Sequence, residues 1–161
     1  MTTKRILVAF GSKGGGTMGI AAEIAKVLRT EGFTVELRPA GEVSDLSPYD
    51  GVVIGGGLYM SRWPHEARRF VHRHAQALRA RPVWMFSSGP LDPSANGGVL
   101  PLTTSVTKLL MKIGARGHAT FGGRLATNAR GFLAGQMAKT RAGDWRDWDQ
   151  IRGWAHHVAA D

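Results

Sequence analysis

The sequence contains no cysteine. That absence removes disulfides, iron–sulfur clusters and thiol catalysis together. Any redox chemistry in this chain therefore needs a bound organic cofactor to carry the electrons. No apolar run approaches the ~20 residues that a membrane-spanning helix requires. No clustered His, Asp and Glu spacing points to a metal, so no metal site is expected. There is no internal repeat, and no residue offers itself as a general acid or base, so the catalytic residues stay unassigned. Acids are scarce: 12 Asp and Glu against 21 Lys and Arg, a net charge of +9. Such an excess favours acidic partners, although no motif singles out nucleic acid. The plain alternative is a solvated basic surface. The chain enters a strand within its first residues, so no signal peptide is expected and the expected location is cytoplasmic. What is present suits one folded unit. The 161 residues, 43% of them hydrophobic, make a single domain, 1–161, with a full core.

The most informative stretch runs from Lys4 to Leu28. Ile6-Leu7-Val8-Ala9-Phe10 carries no charge, the mark of a strand buried on both faces. Ile20, Ala21, Ile24, Val27 and Leu28 then recur at helical spacing. Between them lies Gly11-Ser12-Lys13-Gly14-Gly15-Gly16-Thr17. A strand, a glycine-rich loop and a helix can aim backbone N–H groups and the positive helix end at an anion. The position three after Thr17 is Ile20, so no capping box competes for those N–H groups. A nucleoside-triphosphate loop is excluded, because the lysine, Lys13, precedes the glycines. Two readings stay open. Gly14, Gly16 and Gly19 match the dinucleotide fingerprint, with Glu36 placed for a ribose. Alternatively Ser12 and Thr17 bond a terminal phosphate monoester from both ends, with Lys13 adding charge.

The rest of the chain alternates between strands and helices. Phe33 to Leu37 reads as a strand near a sheet edge, and Gly51 to Ile54 as a buried one that ends in the loop Gly55-Gly56-Gly57. Pro64 opens a helix whose inner face is Ala67, Phe70, Val71, His74, Ala75 and Leu78, with Arg68, Arg69, His72, Arg73 and Arg79 outside. His74 is expected to be a satisfied core histidine. Pro82 to Phe86 is the fourth strand, followed by Ser87-Ser88-Gly89-Pro90 and a long loop to about Pro101. Val106, Leu109, Leu110 and Ile113 mark a helix ended at Gly114. Ala119 to Leu125 is expected to be the fifth strand, bulged at Gly122-Gly123. An extra segment, about 127–143, reads as a short basic amphipathic helix. The last helix begins near Asp144 or Asp147 and turns Trp145, Trp148, Ile151, Trp154, Ala155 and Val158 inward, a stripe expected to be core.

Alternation of this kind implies an α/β fold: a doubly wound, five-stranded parallel sheet, order 2-1-3-4-5, in a three-layer sandwich. The glycine-rich loops after strands one, three and four should then meet at the carboxyl edge, where such sheets bind ligands.

Ser12-x-x-Gly15-x-Thr17 resembles the FMN-phosphate loop of the flavodoxins, (S/T)-x-T-G-x-T, with Gly14 where that family usually has Thr. Tyr49-Asp50-Gly51-Val52-Val53-Ile54-Gly55, Arg69-Phe70-Val71-x-x-His74 and Asp147-Trp148-x-x-Ile151 resemble the menaquinone-dependent protoporphyrinogen dehydrogenases within that fold family. The resemblance implies FMN, held at the phosphate by Ser12, Lys13, Gly14, Gly15, Gly16 and Thr17. It places Gly56, Gly57, Leu58, Tyr59 and Met60 on one side of the isoalloxazine and Ser88, Gly89, Pro90 and Leu91 on the other, with Tyr59 or Trp63 available to stack. It implies an oxidoreductase that takes electrons from a porphyrinogen and gives them to a quinone, its extra segment meeting an acidic substrate or the anionic inner face of a membrane. The alternatives are an electron carrier without catalysis of its own and a dinucleotide- or deazaflavin-binding protein.

Overall fold

The computed structural model describes residues 3–11, 16–89, 102–122, 124–125, 143–144 and 146–161. In chain order the elements are β1 (Arg5–Gly11), α1 (Gly16–Thr30), β2 (Thr34–Pro39), a 3₁₀ turn (Ala40–Glu42), β3 (Gly51–Gly57), α2 (His65–Arg73) and α3 (Ala75–Arg79). They continue with β4 (Val83–Ser88), α4 (Thr104–Ile113), β5 (Gly117–Phe121), β6 (Arg124–Leu125), β7 (Gly143–Asp144) and α5 (Trp148–Ala160). The five long strands form one parallel sheet in the order β2-β1-β3-β4-β5, as the alternation requires.

The sheet divides the core in two because successive side chains point to opposite faces. Ile6, Val8 and Phe10 of β1 join Val53, Trp84 and Phe86 beneath α1 and α5. Leu7 and Ala9 join Val52, Ile54 and Met85 beneath α2, α3 and α4. Thr103 caps α4 by accepting the Val106 N–H at 3.2 Å, and Asp147 caps α5 by accepting the Gln150 N–H at 3.1 Å. Ile151, Ala155 and Val158 of α5 are buried as expected, and Trp154 sets its ring edge-on to Phe86 and Phe121. Trp148 and Trp154 are only partly buried, and Trp145 lies outside the described residues.

Several boundaries differ from the sequence reading. Gly55, Gly56 and Gly57 are the last residues of β3, not a loop after it. The expected single helix breaks into α2 and α3 at His74, whose φ of −106° and ψ of 18° leave the helical region. The inner face survives the break, since Ala67, Phe70, Val71, Ala75 and Leu78 are all buried. The His74 ring is half-buried against Phe70 and hydrogen-bonds the Val43 backbone, while its Nε2 has no partner among the described residues, so the expected core histidine is satisfied in part. β5 begins at Gly117 and ends at Phe121, so Gly122 lies beyond the strand rather than in a bulge. Arg124–Leu125 instead pairs antiparallel with Gly143–Asp144, and this ribbon gathers the two ends of the extra segment. The expected helix at 127–143 falls on residues outside those described, apart from Gly143 in β7.

The glycines of β3 are explained by packing. A Cβ at Gly55 would lie 2.0 Å from the Phe86 ring, and one at Gly56 would lie 2.4 Å from the ring of Trp63. Both rings are fully buried and cannot withdraw. In contrast, a Cβ at Gly153 of α5 would meet nothing within 4 Å. Gly55→Ala should therefore destabilise the fold by at least roughly 1–3 kcal/mol, whereas Gly153→Ala should stabilise it by about 0.5–1 kcal/mol. Urea unfolding of the two variants checks both signs.

Candidate functional site

The carboxyl ends of β1 and β3 flank the point where the strand order reverses. α1 starts there at Gly16 with no acidic residue in its first turn, so nothing cancels the positive helix end. Thr17 is 1% exposed. A buried hydroxyl of this kind suits an incoming acceptor. Ser12, Lys13, Gly14 and Gly15 lie outside the described residues.

Arg146, which the sequence reading missed, completes this corner. Its guanidinium lies over the Trp148 ring, 4.6 Å from the centroid, and against Gly19, where a Cβ would sit 2.4 Å from Nη1. A cation is thus brought to the first turn of α1 from a point more than a hundred residues away in sequence. The same contact gives Gly19 a packing reason for being glycine. Glu36, the other half of the dinucleotide pattern, is already engaged: Oε1 accepts from Arg5 at 3.0 Å and Oε2 from Arg38 at 3.1 Å, with Tyr49 Oη donating to Oε2 as well. Those contacts hold its carboxyl below the usual range, the Tyr49 bond most strongly. Neither Gly19 nor Glu36 needs a dinucleotide to explain it.

The segments after β3 and β4 are tied together: the Leu58 N–H donates to the Ser88 carbonyl at 2.7 Å, and the Gly89 N–H donates to the Phe121 carbonyl at 2.8 Å. Gly89 has a φ of +120°, which a side chain would oppose. Ser88 and Gly56 are buried, Gly57 and Leu58 partly so, while Tyr59 is 43% and Met60 76% exposed. Tyr59 and Arg62 exchange N–H···O bonds of 2.9 and 3.1 Å around Met60 and Ser61, whose φ values are +53° and +65°. Two non-glycine residues in that region store strain, and such strain gathers at functional sites. Met18, on the first turn of α1, is also exposed, at 53%. Met18, Tyr59 and Met60 together put apolar surface at one sheet edge. Pro90 and Leu91 lie outside the described residues.

Trp63 departs from the reading that made it available for stacking. It is 1% exposed, lies on Gly56, and donates Nε1–H to Ser87 Oγ at 2.9 Å. A ring packed on that face and hydrogen-bonded inward is core, which leaves Tyr59 as the candidate aromatic. Ser87 Oγ also lies 2.9 Å from His118 Nε2. The tryptophan N–H can only donate, so Ser87 accepts from it and keeps its own proton to give to a neutral His118. Burial holds His118 neutral, pushing it down to about 4. The sequence offered no signal for His118, because its partners stand on other strands.

Comparison with known proteins fits this geometry. A family model described as Flavodoxin domain matches residues 7–142, and the chain belongs to that family. No curated protein matches the chain. Similar solved structures include flavodoxin 2 from Bacillus cereus, at 21% identity and a TM-score of 0.65, covering 97% of this chain and 98% of that one. The two-electron reduced flavodoxin of Megasphaera elsdenii is 16% identical, with a TM-score of 0.65, over 97% of this chain and 99% of its own. The rubredoxin oxygen:oxidoreductase of Desulfovibrio gigas is 14% identical with a TM-score of 0.59; it covers 99% of this chain, which spans only 38% of its length.

The partly buried His118 sets a pH dependence. The folded state refuses a proton that the unfolded state accepts below its ordinary value of 6.5. Stability should therefore fall as pH drops from about 6.5 to about 4, by up to about 3 kcal/mol from this residue. His74 is lowered chiefly by burial and adds in the same direction. In His118→Gln the slope across that window should be shallower than in the parent, as urea unfolding at successive pH values would show.

Proposed function

We propose that the chain is a flavoprotein that holds FMN across the carboxyl edge of β1, β3 and β4 and passes electrons through it. The observation that carries this reading is the convergence at the β1–β3 switch. There the acid-free first turn of α1 offers Thr17, and exposed Met18, Tyr59 and Met60 offer apolar surface for a flat ring. Gly16 and Thr17, with Ser12, Lys13, Gly14 and Gly15, would hold the phosphate, and Arg146 would add charge from the far side of the turn. Gly57, Leu58, Tyr59 and Met60 would border the ring on one side and Ser88, Gly89, Pro90 and Leu91 on the other. Gly56 belongs beneath Trp63 rather than beneath a ligand. When bound, FMN supplies the one- and two-electron chemistry that a chain without cysteine cannot. The dinucleotide reading is the weaker one, since Gly19 and Glu36 are occupied by Arg146 and by Arg5, Arg38 and Tyr49.

The finer form of the proposal is an oxidoreductase that draws electrons from a porphyrinogen toward a quinone at the inner face of a membrane. Most residues that carried the resemblance have structural roles here: Phe70, Val71 and Ile151 are core, and Asp147 caps α5. What supports the finer reading is the insertion gathered by the β6–β7 ribbon, with its Arg130, Lys139 and Arg141. Replacing those three with Gln should leave FMN affinity intact and lower porphyrinogen turnover or low-salt binding to anionic vesicles. Parent-like behaviour in both assays would leave a plain electron carrier.

Fluorescence-quenching titration tests the main reading. FMN should bind more tightly than FAD or NADPH, and Thr17→Ala should weaken it by roughly 1–3 kcal/mol, the range for a lost hydrogen bond to a charged group. Binding of NADPH but not FMN at tens of micromolar would favour the dinucleotide alternative.

A further inference from the structure

Beside the cofactor edge lies a groove of about 690 Å³ between α2, α4 and the turn at Met60–Arg62. Arg62, Arg68, His72, Lys108 and Lys112 line it, and among the described residues no acidic one does. Among the described residues none of these five side chains pairs with a carboxylate. The ion pairs found there, Arg5 and Arg38 with Glu36, Arg152 with Glu23 and Asp149, and His156 with Glu31, involve β1, β2, α1 and α5. Charge is therefore segregated. The far side is neutralised by its own acids, and the groove keeps its cations. Arg68 and His72 stand at i and i+4 on α2, and Lys108 and Lys112 at i and i+4 on α4. Lys108 and Lys112 repel at that spacing, so the fold bears a small cost to keep both at one groove.

We propose that this groove docks an acidic segment of a protein redox partner. Lys108 and Lys112 stand about 6 Å apart along α4, close to the roughly 6.6 Å between alternate residues of an extended chain. A segment with carboxylates at every second residue can thus address Lys108 and Lys112 together, with Arg62 and Arg68 also lining the groove. Ser61 and Thr104 add hydroxyls, and Leu109 supplies apolar floor. Other occupants fit less well. A small-molecule site is mostly apolar with few polar groups, whereas this lining is dominated by charged and hydroxyl side chains. Single-stranded nucleic acid wants aromatic platforms, and among the described residues neither Trp, Tyr nor Phe lines the groove. A flat membrane does not enter a cleft between helices. Position supplies the function: Arg62 closes the same strained turn that exposes Tyr59, so a docked partner sits one turn from the proposed cofactor edge. The electron-transfer role rests on the FMN reading, but the charge-matched docking does not.

The test uses the full chain, with and without added FMN, and a fluorescein-labelled peptide of alternating Glu and Leu. Anisotropy at low ionic strength should show saturable binding that weakens as salt approaches the physiological range. Lys108→Gln/Lys112→Gln should weaken it about five- to thirtyfold, the equivalent of roughly 1–2 kcal/mol for two exposed ion pairs. Lys4→Gln/Lys26→Gln, an equal charge change on exposed residues away from the groove, should alter it less than about twofold. Backbone amide shifts on titration should centre on residues 60–62, 68–72 and 102–112. Equal losses in the two double variants would overturn the proposal in favour of bulk charge, and absence of peptide binding would overturn it outright. Pyrophosphate or a single-stranded oligonucleotide displacing the peptide stoichiometrically and binding more tightly would reassign the groove to that ligand. Peptide binding that persists where FMN fails to bind would keep the docking surface and remove only the redox role.

Discussion

Two aromatic rings resting on two glycines hold the functional end of this molecule in place. Phe86 lies on Gly55 from the α1–α5 side of the sheet, and Trp63 lies on Gly56 from the α2–α4 side. The end of β3 has no side chains of its own, and the rings fill that volume. Trp63 does more than pack. It arrives from beyond the Tyr59–Arg62 turn, so burying its ring pins that turn against the sheet edge, and its N–H reaches Ser87, which reaches His118. The network ties the connection after β3 to β4 and β5 through polar groups that satisfy one another, buried at Trp63 and Ser87 and partly buried at His118, an arrangement that rigidifies when complete. The strain at Met60 and Ser61 is tolerable because both flanks of the turn are anchored in this way.

From that anchorage follow the positions of the surfaces that matter. The turn exposes Tyr59 and Met60, and its Met60, Ser61 and Arg62 line the cationic groove. α1 closes the crevice with an acid-free first turn, and Arg146 brings a guanidinium to it from beyond the β6–β7 ribbon. The net charge of +9 is thus not spread evenly. Acids near β2, α1 and α5 pair with their neighbours, whereas the described residues that line the α2–α4 groove include no acid.

The fold was legible from periodicity because buried parallel strands read as unbroken apolar runs and helices as stripes. Ile6 to Phe10, Val52 to Ile54 and the inner faces of α1 and α4 needed no tertiary knowledge. The glycines of β3 misled because a sequence cannot distinguish a glycine that admits a ligand from one that admits a ring contributed by another part of the chain. Trp63 misled for the complementary reason: its burial depends on Gly56 and Ser87. The break at His74 leaves the apolar stripe intact, so periodicity cannot reveal it. Arg146 at Gly19, and His118 at Ser87, join residues far apart in sequence, and the cationic groove joins two helices that each read alone as a solvated face.

The most direct test of the central claim, that the carboxyl edge reads a flavin through its terminal phosphate, is cofactor selection from a mixture. Protein equilibrated with equimolar FMN, FAD, riboflavin and NADPH is separated from free ligand, and mass spectrometry identifies what it retains. The account predicts FMN alone, one per chain. Riboflavin retained as well as FMN would contradict the phosphate assignment, and NADPH retained in place of both would contradict the flavin reading itself.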